Sequence, residues 1–107
     1  MYYTYILRCR DGSLYTGIAA DVKKRMAQHL GKTAQCAKYT RSRTPKQLEA
    51  VWESENRSMA SKLEYRIKQL DKAKKQILID RNQMDLLQKT DGNMYRRLPE
   101  TEIGELR

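Results

Sequence analysis

Tyr15, Arg25 and His29 bring a phenol, a guanidinium and an imidazole into one short stretch of chain. Tyr15 sits in Leu14-Tyr15-Thr16-Gly17-Ile18, a strand-like run that glycine brings to a close. Arg25 and His29 fall within Asp21 to Leu30 at a spacing that sets them on one flank of a helix. Groups of these kinds, held on rigid elements beside a tight turn, can bind an anion and pass protons at a surface cleft. Tyr5 upstream adds a second strand phenol, and Glu64 downstream a carboxylate. Each residue also has a plainer reading. A strand tyrosine is commonly a core aromatic with a hydrogen-bonded hydroxyl. A basic helix face is commonly just solvated. Glu64 can simply pair with Lys68 one turn on.

Periodicity supplies the elements that would position these groups. Tyr2 to Cys9 is aromatic and β-branched and reads as a strand, with Tyr3, Tyr5 and Leu7 on one face. Arg10-Asp11-Gly12-Ser13 is a turn whose glycine can take positive φ. Ser13 to Ile18 returns with Tyr15 and Gly17 on one face. Asp21 suits the N-cap of a helix that stops at Gly31, and Val22, Met26 and Leu30 form its buried stripe. Gln47 to Glu55 reads as a third strand, with Leu48, Ala50 and Trp52 on one face and Val51 among charged neighbours. Ser58 is the expected cap of a second helix that turns Met59, Leu63, Ile67 and Leu70 inward, with Glu64 at the rim of that stripe. A short third helix after Asp71, Ala73 to Ile79, is expected to bury Ile77 and Leu78.

The pattern predicts an α/β domain over residues 1–83: a small three-stranded, mainly antiparallel sheet flanked by helices. In residues 84–107, Met84, Leu86 and Leu87 can prolong a helix before Asp91-Gly92-Asn93 turns. This part reads as a C-terminal extension, partly disordered.

A chain of 107 residues fits one domain with one modest core. Its net charge of +9 lies entirely in residues 1–80, which hold 17 Lys and Arg against 8 Asp and Glu. Such a field attracts polyanions, nucleic acid first among them, although basic proteins can be basic merely for solubility. The segment Lys32 to Lys46 is polar, aperiodic and carries only positive charge, so it reads as a functional loop. Cys9 and Cys36 are isolated and only one histidine is present, which argues against a zinc site. No run of eighteen apolar residues exists and the first residues lack the order of a signal peptide. The expectation is therefore a cytoplasmic protein with no membrane span and no disulfide.

Taken in order, Tyr3-Thr4-Tyr5 on a first strand, Tyr15-Thr16-Gly17 on the next, Arg25 and His29 on the following helix, and Glu64 on a later one resemble the GIY-YIG endonuclease family. That family includes homing endonucleases, the amino-terminal nuclease of the UvrC repair protein and Slx-type structure-specific nucleases. The nearest likeness is to its small stand-alone bacterial members. Ala37-Lys38-Tyr39-Thr40-Arg41 also looks like theirs, and the resemblance covers residues 2 to about 80.

The resemblance implies a metal-dependent endonuclease that hydrolyses phosphodiester bonds in DNA, selective for structure and linked to repair or recombination. RNA stays open as a substrate. By position, Glu64 would hold one divalent ion, Mg²⁺ or Mn²⁺, which binds phosphate oxygens and keeps most of its waters. Tyr15 would accept a proton from the attacking water, for which its pKa must fall from the usual ~10. Arg25 would neutralise charge on the phosphate, Tyr5 would orient the site, and His29 would hydrogen-bond or shuttle a proton. Gly17 would let the backbone turn or the substrate come close. Lys24, Lys38, Tyr39, Arg41, Arg43 and Lys46 would grip the nucleic-acid backbone, with little base reading.

The chain departs from the pattern where Tyr3 replaces the first motif's glycine and where Thr4 and Thr16 replace isoleucines. The family asparagine downstream of the glutamate has no clear counterpart; Gln76 and Asn82 are the nearest amides. Their position keeps a second reading open, a non-catalytic nucleic-acid-binding module on a nuclease-like scaffold. A third is a protein-interaction role. A domain this small would also be served by a separate targeting partner.

Overall fold

The computed structural model describes residues 1–31, 45–87 and 90–106, leaving aside the side chains at 29–31, 45 and 104–106. Strand β1 (Tyr2–Cys9) turns back into β2 (Leu14–Ala19) through Arg10 to Ser13. There the Gly12 N–H donates to Cys9 O at 2.9 Å, and Gly12 takes φ +86°, a conformation that costs glycine little. Helix α1 (Val22–Gly31) follows directly, capped as expected by Asp21, whose carboxylate accepts from the Lys24 N–H at 3.0 Å. Strand β3 (Pro45–Ser54) then lies beside β1, and two helices come next, α2 (Arg57–Lys68) and α3 (Lys72–Arg81).

The sheet has four strands among the described residues, in the order β2-β1-β3-β4, with antiparallel neighbours throughout. This corrects the expected three. The fourth, β4 (Arg96–Arg97), is too short to leave a periodic signature, and it pairs only Trp52 and Glu53 of β3. It lies within the segment expected to be an extension. That segment joins the core: Leu98 and Ile103, the latter on α4 (Glu100–Leu106), are buried against Tyr5, Leu7 and Val51.

Two apolar clusters sit on opposite faces of the sheet. One gathers Tyr5, Leu7, Ala19, Val22, Met26, Leu48 and Val51 under α1 and α4. The other gathers Ile6, Ala50, Trp52, Leu63, Ile67, Leu78 and Leu87 under α2 and α3. Leu48 thus does not share the face of Ala50 and Trp52. The register passes from Ile6↔Ala50 to Leu7↔Leu48, so Glu49 is an extra residue in β3 and the strand changes faces there. The Glu49 carboxylate accepts from Arg8 Nε at 2.8 Å.

Three local expectations shift for identifiable reasons. Asn56, not Ser58, caps α2, because its side chain reaches the Met59 N–H at 3.0 Å. On α3, Leu78 and Ile79 are buried while Ile77 is exposed. The helix does not run on to Leu87. Asn82 ends it in the left-handed conformation (φ 50°), and Met84–Leu86 forms a 3₁₀ turn that sends Leu87 inward. Among the described residues no helix is long and apolar enough to cross a membrane.

Candidate active site

The hairpin register places Gly17 opposite Tyr5, and Tyr15 opposite Leu7 on the same face. A methyl group at Gly17 would lie 2.6 Å from the Tyr5 hydroxyl and 3.1 Å from Tyr15 Cε2. The φ of Gly17 is not positive, and the space a side chain would take there is filled by Tyr5 and Tyr15. The glycine makes room for the Tyr5 ring to lie across the edge strand β2. The two tyrosine rings meet there, tilted by 49° with centroids 6.3 Å apart.

Tyr5 is fully buried and Tyr15 half-buried. Burial pushes the Tyr5 phenol far above its ordinary pKa, and Tyr15 beside it adds to the rise. The Arg25 guanidinium acts against that rise by hydrogen bond and charge, and the Glu64 carboxylate acts with it. Three other elements thus bear on the Tyr5 phenol: Tyr15 from β2 and Arg25 from α1 lie beside it, and Glu64 from α2 acts through its charge alone.

Arg25 is held in place. Its Nη1 donates to Gln28 Oε1 at 2.9 Å, one turn along α1. Gln28 is a positioning residue that the sequence reading passed over, although its i+3 spacing from Arg25 is the available signal. Glu64 is half-buried and lies 3.3 Å from Lys68 Nζ, so the plain pairing also exists. Lys68 is 52 % exposed, and an exposed i, i+4 pair of this kind is worth only about 0.3–0.5 kcal/mol. It opens easily. Among the described residues no group of three or more His, Cys, Asp or Glu could hold a metal ion. The fit is instead that of a single hard oxygen donor, which suits Mg²⁺ or Mn²⁺ shared with water and phosphate.

The other candidates are placed as follows. His29 belongs to α1, but its side chain lies outside the described residues, as do Lys38, Tyr39, Arg41 and Arg43 entirely. Lys24 is exposed on α1. Lys46 is exposed too, but on β3 rather than in a loop, because the strand begins at Pro45. The two amides have structural partners. Asn82 Oδ1 accepts from the Trp52 indole N–H at 2.8 Å, and Gln76 Oε1 accepts from Arg8 while its Nε2 donates to Asp80. Neither joins the tyrosines.

Known proteins resemble the chain over about three-quarters of its length. Residues 1–76 match the model of the GIY-YIG catalytic domain. A UPF0213 protein of Fusobacterium nucleatum is 46% identical over 80 residues, covering 75% of this chain and 78% of its own. One from Halobacterium salinarum is 44% identical over 78 residues, 73% of this chain and 99% of its own. The solution NMR structure of a UPF0213 protein from Bacillus halodurans is 42% identical, covers 75% of this chain and 84% of that one, and has a TM-score of 0.48.

Proposed function

Since the chain belongs to the GIY-YIG catalytic-domain family, we propose that it is a divalent-metal-dependent endonuclease that hydrolyses phosphodiester bonds in DNA. One observation carries the reading: around the buried Tyr5, Tyr15 packs beside the ring, Arg25 reaches the hydroxyl, and Glu64 acts on it through its charge, from three different elements. A structural tyrosine needs one hydrogen-bond partner. A phenol beside a second phenol and a guanidinium, within the field of a carboxylate, gathers acid–base and anion-stabilising groups of the kinds phosphodiester hydrolysis needs.

The environment divides the roles between the tyrosines. Burial raises the Tyr5 phenol above its ordinary range, which suits it to orienting the site rather than to accepting a proton. Tyr15, half-exposed beside it, takes the proton of the attacking water as that oxygen bonds to phosphorus and the bond to the departing oxygen breaks. Arg25, steadied by Gln28, faces the phosphate oxygens as negative charge builds on them. His29 completes the proton network. Glu64 holds Mg²⁺ or Mn²⁺, which supplies Lewis-acid polarisation of the phosphate when bound. Lys24 and Lys46, with the basic segment 38–46, grip backbone phosphates, which gives selectivity for DNA structure rather than sequence, as repair or recombination requires. RNA and a targeting protein remain natural partners of the same surface.

The second reading, a binding module without turnover, is favoured by the engagement of Asn82 and Gln76 elsewhere. Nicking of supercoiled plasmid and of a branched oligonucleotide separates the two. The nuclease reading expects cleavage under Mg²⁺ or Mn²⁺ that EDTA stops, that Glu64→Ala abolishes without loss of binding, and that Tyr15→Phe greatly slows. Tight, salt-sensitive binding with no cleavage by any of the three proteins would establish the module instead.

A further inference from the structure

Helix α2 has a second polar surface beside Glu64, and the catalytic reading does not use it. A groove of about 900 Å³ runs along this side of the helix, lined by Arg57, Lys62, Tyr65 and Arg66 on one wall and by Met94 and Tyr95 on the other. Its walls are fastened together, because the Tyr95 hydroxyl donates to the Met59 carbonyl at 2.7 Å. Only four large apolar side chains stand exposed among the described residues, and two of them, Tyr65 (59 % exposed) and Met94 (44 %), line this groove. Three cations face it against one carboxylate. That carboxylate, Asp91, already accepts from the Asn93 N–H at 2.9 Å.

Tyr65 is poised for a flat ligand. The Arg66 guanidinium lies over its ring, 5.3 Å from the centroid, and so holds the phenol while most of its surface faces solvent. An exposed aromatic flanked by cations stacks nucleobases while the cations take the adjoining phosphates. A base inside a duplex cannot reach such a ring without leaving its stack. The surface therefore selects an unpaired base.

Position ties this surface to the catalytic one. Successive residues on a helix are offset by about 100°, so Tyr65 stands in the groove wall, next round the helix from Glu64. A strand leaving Glu64 crosses Tyr65 before it meets Lys62 and Arg66. We propose that Tyr65, with Lys62 and Arg66, is a stacking site for an unpaired nucleotide next to the scissile phosphate, and that it makes the protein prefer single-strand tails or flaps to plain duplex. This rests on the reading that the protein acts on nucleic acid, and it names the structural feature selected.

The test is fluorescence anisotropy in EDTA, where cleavage plays no part. It compares a labelled duplex with the same duplex carrying an unpaired 3′ or 5′ tail. Wild type should favour a tailed probe. Tyr65→Ala should weaken that probe about tenfold and leave the plain duplex unchanged, since stacking disappears while the charge stays. Tyr65→Phe should keep the preference. Lys62→Ala with Arg66→Ala should lower the salt dependence of tailed-probe binding by roughly one unit of slope for each phosphate no longer gripped. Tyr65 and Lys62 are exposed and Arg66 is only part-buried at the groove wall, so circular dichroism should show all variants folded. If Tyr65→Ala binds both probes like wild type while metal-dependent nicking persists, this inference falls alone and the groove belongs to a protein partner. If wild type binds neither probe, the nucleic-acid reading falls with it. A tail preference without any nicking would sustain the stacking site and defeat only the nuclease assignment.

Discussion

The two faces of the sheet treat their polar groups in opposite ways. Under α2 and α3, three polar side chains are tied into fixed structural pairs, although Thr16 Oγ1 and Arg97 Nε are buried with no hydrogen-bond partner among the described residues. Thr4 Oγ1 donates to the Ala60 carbonyl at 2.9 Å, and the Trp52 indole donates to Asn82. Arg97 donates to the Leu78 and Ile79 carbonyls at the end of α3, with its guanidinium 5.0 Å from the centroid of the Trp52 ring. Those carbonyls carry the negative end of the helix dipole, so the cation suits them. Across the sheet, beneath α1, the Tyr5 phenol is just as deeply buried, yet it meets a second phenol, a guanidinium and the field of a carboxylate. The first arrangement locks elements together. The second gathers, at the strand where the sheet ends, the groups to which the proposed function gives proton transfer and anion binding. Burial alone does not separate a structural from a chemical polar group; the company it keeps does.

Neighbouring residues on α2 give the strongest way to break this contrast. Leu63 is fully buried in the cluster beneath α2, whereas Glu64 is only part-buried and acts on Tyr5. Glu64→Ala should reduce metal-dependent nicking by at least about a thousandfold, an effect on the scale of lost electrostatic stabilisation, with the urea midpoint nearly unchanged. Leu63→Ala should do the reverse: a stability loss of about 2–5 kcal/mol in urea titration, with the nicking rate per folded molecule preserved. Loss of activity in Leu63→Ala at full folding, or a collapse of stability in Glu64→Ala, would erase the distinction between the faces.

Gly17→Ala sharpens the contrast on the tyrosine side. Its new methyl group meets the Tyr5 hydroxyl at 2.6 Å, and the ring must move away from Tyr15 and Arg25. Overpacking of this kind costs about 1–3 kcal/mol. The nicking rate should fall about ten- to a hundredfold, because a displacement near 1 Å at a reacting site has that effect. Wild-type activity with the full stability loss would mean that the Tyr5 hydroxyl takes no part in the chemistry.

What the sequence made legible was local. Alternation set Tyr5, Tyr15 and Gly17 on one face, and helical spacing placed Arg25 and put Glu64 beside the core stripe. Asp21 and Gly12 announced their cap and turn through side-chain and backbone chemistry that acts within four residues. What stayed hidden was produced by pairing at a distance. The bulge at Glu49 that transfers Leu48 to the other face depends on the register with Leu7, which β3 does not encode alone. The two-residue β4 has no period to detect, and Leu98 and Ile103 enter the core only because that strand delivers them. Asn82 is similar. It was one of the two nearest amides to the missing family asparagine, and its side chain instead accepts from the indole of Trp52, thirty residues earlier.

The smallest effect, and the most specific, concerns the Tyr5 proton. In the folded chain burial raises the pKa of this phenol, while in the unfolded chain it ionises near ~10. Below that value both states hold the proton and the group adds no pH dependence. Above it the unfolded state releases the proton while the folded state keeps it. Stability must then fall as pH rises, by up to about 1.4 kcal/mol per pH unit until the folded pKa is reached. Burial raises the Tyr3 and Tyr95 phenols as well, so a fall in wild type alone would not isolate Tyr5. The difference between wild type and Tyr5→Phe does isolate it. Urea titrations between pH 8 and pH 11 should show the two proteins running parallel at the lower end, with wild type losing more stability above about pH 10. Parallel behaviour to the top of the range would mean that Tyr5 ionises as easily folded as unfolded, and that nothing in its burial reserves the base's role for Tyr15.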